Sequence, residues 1–277
     1  RYFFKFYNID NNLRFYPPWD ILPYENLSPS LEIMGERLEV LNLVKSNQIS
    51  LLVVPVDAFM QGVVPRMDLS NQTFFFSKGE VLEREYLETC LFDNGFARVP
   101  MVENRGDFSI RGDIVDVYPP ASNNPIRIEF YDNTIESLRE FDVNTQVSLN
   151  IIDRVEILPV REVSPNEFQK INGLGEIAKL AKEQNADSAR LKELNDKIHQ
   201  LGNFPGMENL APFFYSCRET LFDYFSEDTL IVLDDDDKIG SKIINFEKTI
   251  NDKFNAAQDR GDLAVPVSRF YLDSSEL

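Results

Sequence analysis

Hydrophobic and polar residues alternate most regularly near the middle of the chain, within residues 106–142. Over residues 126–131, isoleucine or phenylalanine stands at every second position, with arginine, glutamate and tyrosine between them. Because successive side chains of a strand point to opposite faces, this alternation predicts a strand with one face in a core and the other at the surface. The expected core residues are Ile126, Ile128 and Phe130, and the expected surface residues are Arg127, Glu129 and Tyr131.

A second and a third strand are predicted on either side of this one. Residues 108–118 form a β-branched run, and residues 134–141 follow the alternating segment. Asp132 and Asn133 stand between the last two strands, and both residue types tolerate the positive φ of a tight hairpin loop. The pattern therefore predicts three antiparallel strands. Gly112, inside the first run, indicates a β-bulge or the close approach of another backbone segment.

The segments around these strands complete an α+β module. Residues 81–92 have apolar positions at helical spacing, and Asn94 and Gly95 are typical of a left-handed helix C-cap. Further strands are expected over residues 97–102 and 153–159. We therefore predict one helix packed on an antiparallel sheet, with the module covering residues 78–163.

Residues 1–77 and 164–277 have the mixed pattern of an α/β domain. In the first segment we expect a strand over residues 2–7, a helix with Ser28 or Ser30 as its N-cap, and a buried parallel strand at residues 51–54. The apolar positions of that helix are Leu31, Met34, Leu38 and Leu41.

In the second segment we expect a long polar helix over residues 176–201 and a buried strand over residues 229–233. A further helix is predicted from Asp236, with a single apolar stripe. The residues of that stripe are Ile239, Ile243, Phe246, Ile250 and Phe254.

The charge balance narrows the choice of partner. The chain has 46 acidic and 28 basic residues, and its net charge is −18. Since affinity for nucleic acid depends on lysine and arginine neutralising phosphates, this balance favours a protein partner. No run approaches the roughly 18 apolar residues of a membrane helix, and no signal peptide opens the chain, so we expect no membrane partner. The isolated Cys90 and Cys217 fit a reducing cytoplasm.

Two features could carry chemistry, and we interpret both as structural. An apolar strand that ends in the acids of residues 234–237 is how nucleotide-hydrolysing motors hold magnesium. Such motors also need a GxxxxGK[ST] loop, which this sequence lacks, so an acidic helix start is the favoured interpretation. His199 could act as a general base, but a positive charge near a helix C-terminus is favoured. We therefore predict no catalytic, cofactor-binding or metal-binding residues.

Four stretches of the sequence resemble known families. RGDIVDVYPP at residues 111–120 and RIEFYDNTIESLREFD at residues 127–142 resemble a signature that the repair helicase UvrB shares with the transcription-repair coupling factors (Mfd). PPWDILPYENLSPSLEIMGERLEVL at residues 17–41 and LLVVPVDAFMQGVVP at residues 51–65 resemble the coupling factors. UvrB has a long tyrosine-rich DNA hairpin in that region, and nothing in this sequence resembles it. The chain is therefore identified as a member of the coupling-factor family.

This resemblance implies a fold and a set of site residues. The two outer segments would together form a degenerate helicase-motor (RecA-like) domain that has lost its nucleotide site, with residues 78–163 inserted as a UvrA-interaction domain. Positions that match Arg111, Arg127 and Tyr131 contact UvrA in the family, where phenylalanine usually replaces Tyr131. We expect the guanidinium of Arg127 to be free for a partner carboxylate. Replacing it with alanine should then weaken UvrA binding with little loss of stability.

The resemblance also implies a role. The chain begins at Arg1 rather than at methionine, which indicates a segment of a longer protein. The full-length protein would be a double-stranded DNA translocase driven by ATP and magnesium, with RNA polymerase and duplex DNA as partners. This chain would be its non-catalytic module that recruits UvrA. The alternatives are a helicase or nuclease subunit of the UvrB type, which an ATPase assay would detect, and a regulatory scaffold for another protein.

Overall fold

The computed structural model describes residues 13–200 and 203–276. The fold is mixed α/β and contains several sheets, which confirms the predicted α/β class, while its RecA-like motor character stays a prediction. The strand expected over residues 2–7, and the helix end expected at 201–202, lie outside the described residues. The chain divides into two compact units: the described parts of 1–29, 40–66 and 165–277 form the outer unit, and 30–39 and 67–164 form the central unit.

Short strands and helices are mixed in the first part of the described chain, seven consecutive strands follow, and five consecutive α-helices come last. In chain order they are β1 (Leu13–Phe15), α1 (Leu31–Lys45), β2 (Leu51–Val53), α2 (Val56–Phe59), α3 (Arg66–Asn71), β3 (Phe74–Ser77), α4 (Arg84–Asp93), β4 (Ala97–Arg98), β5 (Asp107–Arg111), β6 (Ile114–Val117), β7 (Ile126–Tyr131), β8 (Thr134–Phe141), β9 (Ser148–Ile152), β10 (Arg154–Ile157), α5 (Glu167–Glu183), α6 (Ser188–Gln200), α7 (Ala211–Phe214), α8 (Leu221–Tyr224) and α9 (Asp236–Asp259).

A six-stranded sheet, in which strands β4 to β9 follow in sequence order, dominates the central unit. All neighbours are antiparallel except β4 and β5, which are parallel. One face of the sheet packs into the core together with Leu87 and Leu91 of α4. Ile128 of β7 is fully buried there. The predicted alternation of β7 is confirmed, and so is the hairpin after it, where Asp132 has a φ of 56°.

The single strand predicted over residues 108–118 is two strands in the structure. Residues 108–118 form the hairpin of β5 and β6, with Gly112 and Asp113 in the turn. Gly112 has a φ of +60°, and no heavy atom lies within 4 Å of the place where a Cβ would stand. The left-handed backbone of a turn therefore requires the glycine, and the expected bulge or close backbone approach was wrong. Arg84 of α4 donates to the Gly112 carbonyl and to the Asp113 carboxylate, both at 2.7 Å.

Three other boundaries in the central unit differ from the sequence prediction. The helix begins at Arg84 instead of residue 81, because Val81 pairs with Thr134 in an isolated β-bridge and is exposed. The expected strand at 97–102 contains only β4. The strand expected at 153–159 is β10, which pairs with β3 in a separate two-stranded sheet. The left-handed Gly95 after α4 is confirmed, with a φ of +84°.

A buried ion pair joins two distant parts of the central unit. Arg37 of α1 donates from Nε to Oε1 of Glu162 at 2.5 Å and from Nη2 to Oε2 at 3.1 Å. The two side chains are 0% and 2% exposed. The start of α1 therefore belongs structurally with the segment that follows β10.

The outer unit contains a two-stranded parallel sheet of β1 and β2 together with helices α5 to α9. The long helix predicted for residues 176–201 is instead two helices, α5 and α6. Asn185, between them, has a left-handed φ of 51°. Asp187 then accepts a hydrogen bond from the Ala189 backbone N–H at 2.7 Å and so begins α6. His199 lies exposed in the last turn of α6.

The strand predicted over residues 229–233 was wrong. Residues 230–233 are exposed and form no regular secondary structure. The apolar run satisfied the sequence criterion, but a strand also needs a hydrogen-bonded neighbour, and among the described residues this segment has none. The helix predicted from Asp236 is confirmed as α9, and Ile250 in its apolar stripe is buried. In the part of the chain that the structure describes, no helix is long and apolar enough to cross a membrane.

Candidate partner-binding face of the central sheet

One face of the six-stranded sheet packs in the core, and the other carries the predicted site residues. On that second face a row of directly paired residues crosses five strands, from β5 to β9: Ser109, Asp116, Arg127, Arg139 and Ile151. The neighbouring row crosses four strands, from β5 to β8: Arg111, Ile114, Glu129 and Ser137. We call the surface formed by these two rows and Tyr131 the arginine face.

Two arginines on this face share one buried carboxylate. Arg127 donates from Nε to Oδ1 of Asp116 at 2.7 Å and from Nη2 to Oδ2 at 3.0 Å. Arg111 donates from Nη2 to the same Oδ2 at 2.6 Å. The Asp116 side chain is only 1% exposed, so these charge-assisted bonds are what allows it to be buried as an anion. Arg111, Asp116 and Arg127 therefore form one unit, which we call the arginine cluster.

Arg127 is held within the sheet. Its side chain is 14% exposed, and its guanidinium lies 4.6 Å from the centre of the Phe141 ring. The hydrogen bonds to Asp116 raise the pKa of Arg127 above its usual value. The expectation that this guanidinium is free for a partner carboxylate was wrong, because the strand register places Asp116 directly opposite it.

Arg111 has the opposite character. It ends β5 next to the turn at Gly112, and its side chain is 47% exposed although it contacts Asp116. A guanidinium has five N–H donors in a planar fork, so one bond to Asp116 leaves donors that face solvent. Of the two predicted arginines, Arg111 is therefore the one that can reach an incoming carboxylate without breaking its existing contact.

Tyr131 lies on the same face as Arg127, at the far end of β7. It is 75% exposed and directly opposite Thr134 on β8. Four residues along a strand correspond to about 13 Å, so Tyr131 lies that far from Arg127 along β7. The structure thus brings Arg111 and Arg127 together on Asp116 and presents Tyr131 separately, with its ring open to solvent.

Sequence reasoning missed Asp116 as a site residue. It lies within the motif at residues 111–120, and its position alternates with the buried Val115 and Val117. That alternation places it on the arginine face, and an acid among arginines on one face is the signal that could have identified it. Its pairing with Arg127 depends on strand register, which the sequence alone did not provide.

The arginine face is locally positive. Arg139 forms an ion pair with Glu129 at 3.0 Å, and the Ser137 hydroxyl donates to the same carboxylate. With the arginine cluster included, three guanidinium groups face two carboxylates, which leaves one net positive charge in a chain whose net charge is −18. Such a surface favours contact with an anionic group of a partner.

The two other chemical candidates are His199, which lies exposed in the last turn of α6, and the acids of residues 234–237. Asp235 is the N-cap of α9, where its carboxylate accepts from the Lys238 backbone N–H at 3.3 Å and also pairs with the Lys238 side chain. The acids of residues 234–237 therefore form a helix start. Within residues 13–200 and 203–276, no group of three or more histidine, cysteine, aspartate or glutamate side chains could hold a metal ion.

Comparison with known proteins agrees with this geometry. Residues 74–163 match the family model of the UvrB interaction domain, and this range contains the whole six-stranded sheet. The chain is 34% identical over 219 residues to the transcription-repair-coupling factor of Escherichia coli (strain K12), covering 77% of this chain and 18% of that protein. It is 30% identical over 268 residues to the transcription-repair-coupling factor of Myxococcus xanthus, and this match covers 94% of this chain and 22% of that protein. The chain is also 29% identical over 267 residues to the transcription-repair-coupling factor of Rickettsia typhi (strain ATCC VR-144 / Wilmington), and this match covers 96% of this chain and 23% of that protein.

The chain belongs to the transcription-repair-coupling factor family. The resemblance of its sequence motifs to this family is therefore confirmed. The chain spans about a fifth of the length of these relatives, between 18% and 23%. What the structure shows of the family is thus its UvrB interaction domain and the residues on either side of it.

Proposed function

We propose that this chain is a non-catalytic recruitment module of a transcription-repair-coupling factor, and that its arginine face binds UvrA. The observation that carries the proposal is the arginine cluster, which lies inside residues 74–163, the part that matches the UvrB interaction domain. Arginine and tyrosine are enriched among the residues that dominate binding energy in protein interfaces. In this chain the exposed Arg111 and Tyr131 lie on strands of a hydrogen-bonded sheet rather than in a loop, which reduces the conformational entropy lost on binding.

The three predicted site residues take different roles in this proposal. Arg111 donates to a carboxylate of UvrA, because its guanidinium is about half exposed. Tyr131 supplies an exposed ring that an apolar group can cover. Arg127 is a positioning residue: it neutralises and orients Asp116, and Asp116 in turn holds Arg111.

The proposed role requires no chemistry from this chain. The sequence contains no GxxxxGK[ST] loop to hold a nucleotide, and the acids of residues 234–237 begin a helix. We extend to the full-length protein the activity expected of the family, translocation on duplex DNA driven by ATP and magnesium beside RNA polymerase. In this chain the net charge of −18 opposes contact with DNA, which supports a protein partner.

Surface plasmon resonance with purified UvrA over the immobilised chain tests the proposal. Saturable binding is the expected result, and no response at tens of micromolar UvrA would contradict it. Calorimetry with Mg-ATP tests the alternative of a UvrB-type helicase or nuclease subunit, and we expect no heat of binding. A chain that failed to bind UvrA but captured a different repair protein would favour the alternative of a regulatory scaffold.

A further inference from the structure

The arginine face ends at an exposed apolar residue on the edge of the sheet. Ile151 of β9 lies directly opposite Arg139, and it is 73% exposed. Val147 and Leu149 of the same segment are 61% and 50% exposed. Single exposed apolar residues are common on protein surfaces, but three within five residues, two on an edge strand and one just before it, are typical of a surface that a partner covers.

Ile151 is continuous with the arginine cluster. The row Asp116, Arg127, Arg139 and Ile151 runs across neighbouring strands without a break in pairing. Strands lie about 4.8 Å apart, so Ile151 on β9 is roughly 19 Å from β5, which carries Arg111. A standard interface buries about 800 Å² on each partner, a patch about 30 Å across. A partner seated on Arg111 and Tyr131 would therefore also reach Ile151.

We propose that the UvrA-binding surface extends from β5 across the sheet to Ile151 on β9, and that UvrA places an acidic side chain at Arg111 and an apolar side chain over Ile151. This inference rests on the proposed function. The row of paired residues supplies the continuity, and the one net positive charge of the arginine face supplies the preference for an acid. Ile151 would then be a determinant of affinity that lies outside the predicted trio.

A second copy of the chain fits this surface less well than UvrA. Packing two arginine faces together would bring two net positive clusters into contact, and each chain carries a net charge of −18. Both effects oppose self-association.

Two substitutions at Ile151, measured by surface plasmon resonance against purified UvrA, test the inference. Ile151→Thr keeps a β-branched residue in the strand and removes part of the apolar surface, and we expect about 3- to 10-fold weaker binding. Ile151→Asp places a charge where the apolar contact is proposed, and we expect at least about 30-fold weaker binding. Thermal melts of both variants should match the wild type, since the side chain is mostly exposed.

Ile171→Asp is the matched control. Ile171 lies on α5 of the outer unit and is 64% exposed, so the same change is made at a similarly exposed isoleucine. We expect this variant to bind UvrA like the wild type. Equal weakening by Ile151→Asp and Ile171→Asp would indicate a general charge effect and would overturn the inference.

The outcomes separate this inference from the proposed function. If the wild type binds UvrA and Arg111→Ala weakens that binding, but both Ile151 variants bind within twofold of the wild type, the inference alone fails. A wild-type chain that does not bind UvrA overturns both. Sedimentation velocity on the chain alone adds a third arm: a dimer that Ile151→Asp dissociates would assign this edge to a second copy and overturn the inference.

Discussion

Arg127 and Asp116 face each other on neighbouring strands, and both oxygens of the Asp116 carboxylate accept hydrogen bonds from the Arg127 guanidinium. This pairing changes the interpretation of the motif at residues 111–120 and 127–142, because the two arginines in it have different surroundings. Arg127, which the motif suggested as a free contact residue, instead forms hydrogen bonds to the buried Asp116. Arg111 is bonded to the same carboxylate at 2.6 Å and is the exposed member of the cluster. The two arginines should therefore respond differently to substitution.

Arg127→Ala should destabilise the central unit. The substitution removes two hydrogen bonds from a carboxylate that is 1% exposed and leaves it with Arg111 as its remaining cationic partner. Removing one partner of a buried ion pair costs about 3 to 5 kcal/mol of stability. Because Arg111 should compensate in part, we expect the free energy of unfolding to fall by about 2 to 4 kcal/mol. Urea denaturation followed by circular dichroism measures the loss.

Arg111→Ala and a double variant are the controls for that result. The Arg111 side chain is 47% exposed, so its removal should cost no more than about 1 kcal/mol. Asp116→Ala combined with Arg127→Ala should recover part of the stability, because no uncompensated charge remains buried. An Arg127→Ala protein as stable as the wild type would show that Asp116 does not depend on Arg127.

Ile128→Ala should destabilise the fold without touching the arginine face. Ile128 is fully buried on the core side of β7. Truncation to alanine leaves a cavity, and such changes cost about 2 to 5 kcal/mol. Thermal and urea unfolding would measure this effect. Unchanged stability would contradict the assignment of this face to the core.

Glycine-to-alanine changes at Gly112 and Gly175 should have opposite signs. Neither position has a heavy atom within 4 Å of the added Cβ, so packing is equal in the two cases. Gly112 has a φ of +60°, where alanine costs about 1 kcal/mol. Gly175 lies within helix α5, where alanine should stabilise by roughly 0.5 to 1 kcal/mol. Melting temperatures that moved in the same direction for both variants would contradict the turn at Gly112.

Tyr131→Ala should weaken UvrA binding by about 10-fold while the melting temperature stays unchanged, because the ring is 75% exposed in the free chain. Tyr131→Phe should bind like the wild type, since the proposed contact uses the ring. Titration of each variant against UvrA measures the effect. A loss of binding in Tyr131→Phe would mean that the hydroxyl makes the contact instead.

Part of this fold could be predicted because local pattern determined it. The alternation from Ile126 to Tyr131 identified β7 and its two faces, and Asp132 with Asn133 identified the next turn. Apolar spacing likewise identified α1, in which Met34 and Leu38 are fully buried. In each case the burial of alternate or helically spaced residues is determined within a few positions of the chain.

Other features of the fold depend on contacts between residues that are distant in sequence, and these could not be predicted. The contact between Arg127 and Asp116 follows from the register of β6 and β7. The apolar run at residues 230–233 has the composition of a buried strand but no neighbouring strand in the described part of the chain. At Gly112 the same residue type suits a bulge or a turn, and only the path of β6 decides between them. Local pattern was therefore enough to predict a strand such as β7, but it did not determine which segments would pair.

The most direct test of UvrA recruitment by the arginine face compares the UvrA affinities of Arg111→Ala and Arg66→Ala. The two side chains are 47% and 49% exposed, each is ion-paired, and Arg66 belongs to the outer unit and is not a residue of the arginine face. Surface plasmon resonance should show Arg111→Ala binding UvrA about 30-fold more weakly than the wild type, a loss of about 2 kcal/mol, with Arg66→Ala unchanged. An Arg111→Ala protein that melts normally and binds UvrA at wild-type strength would contradict the assignment of this face.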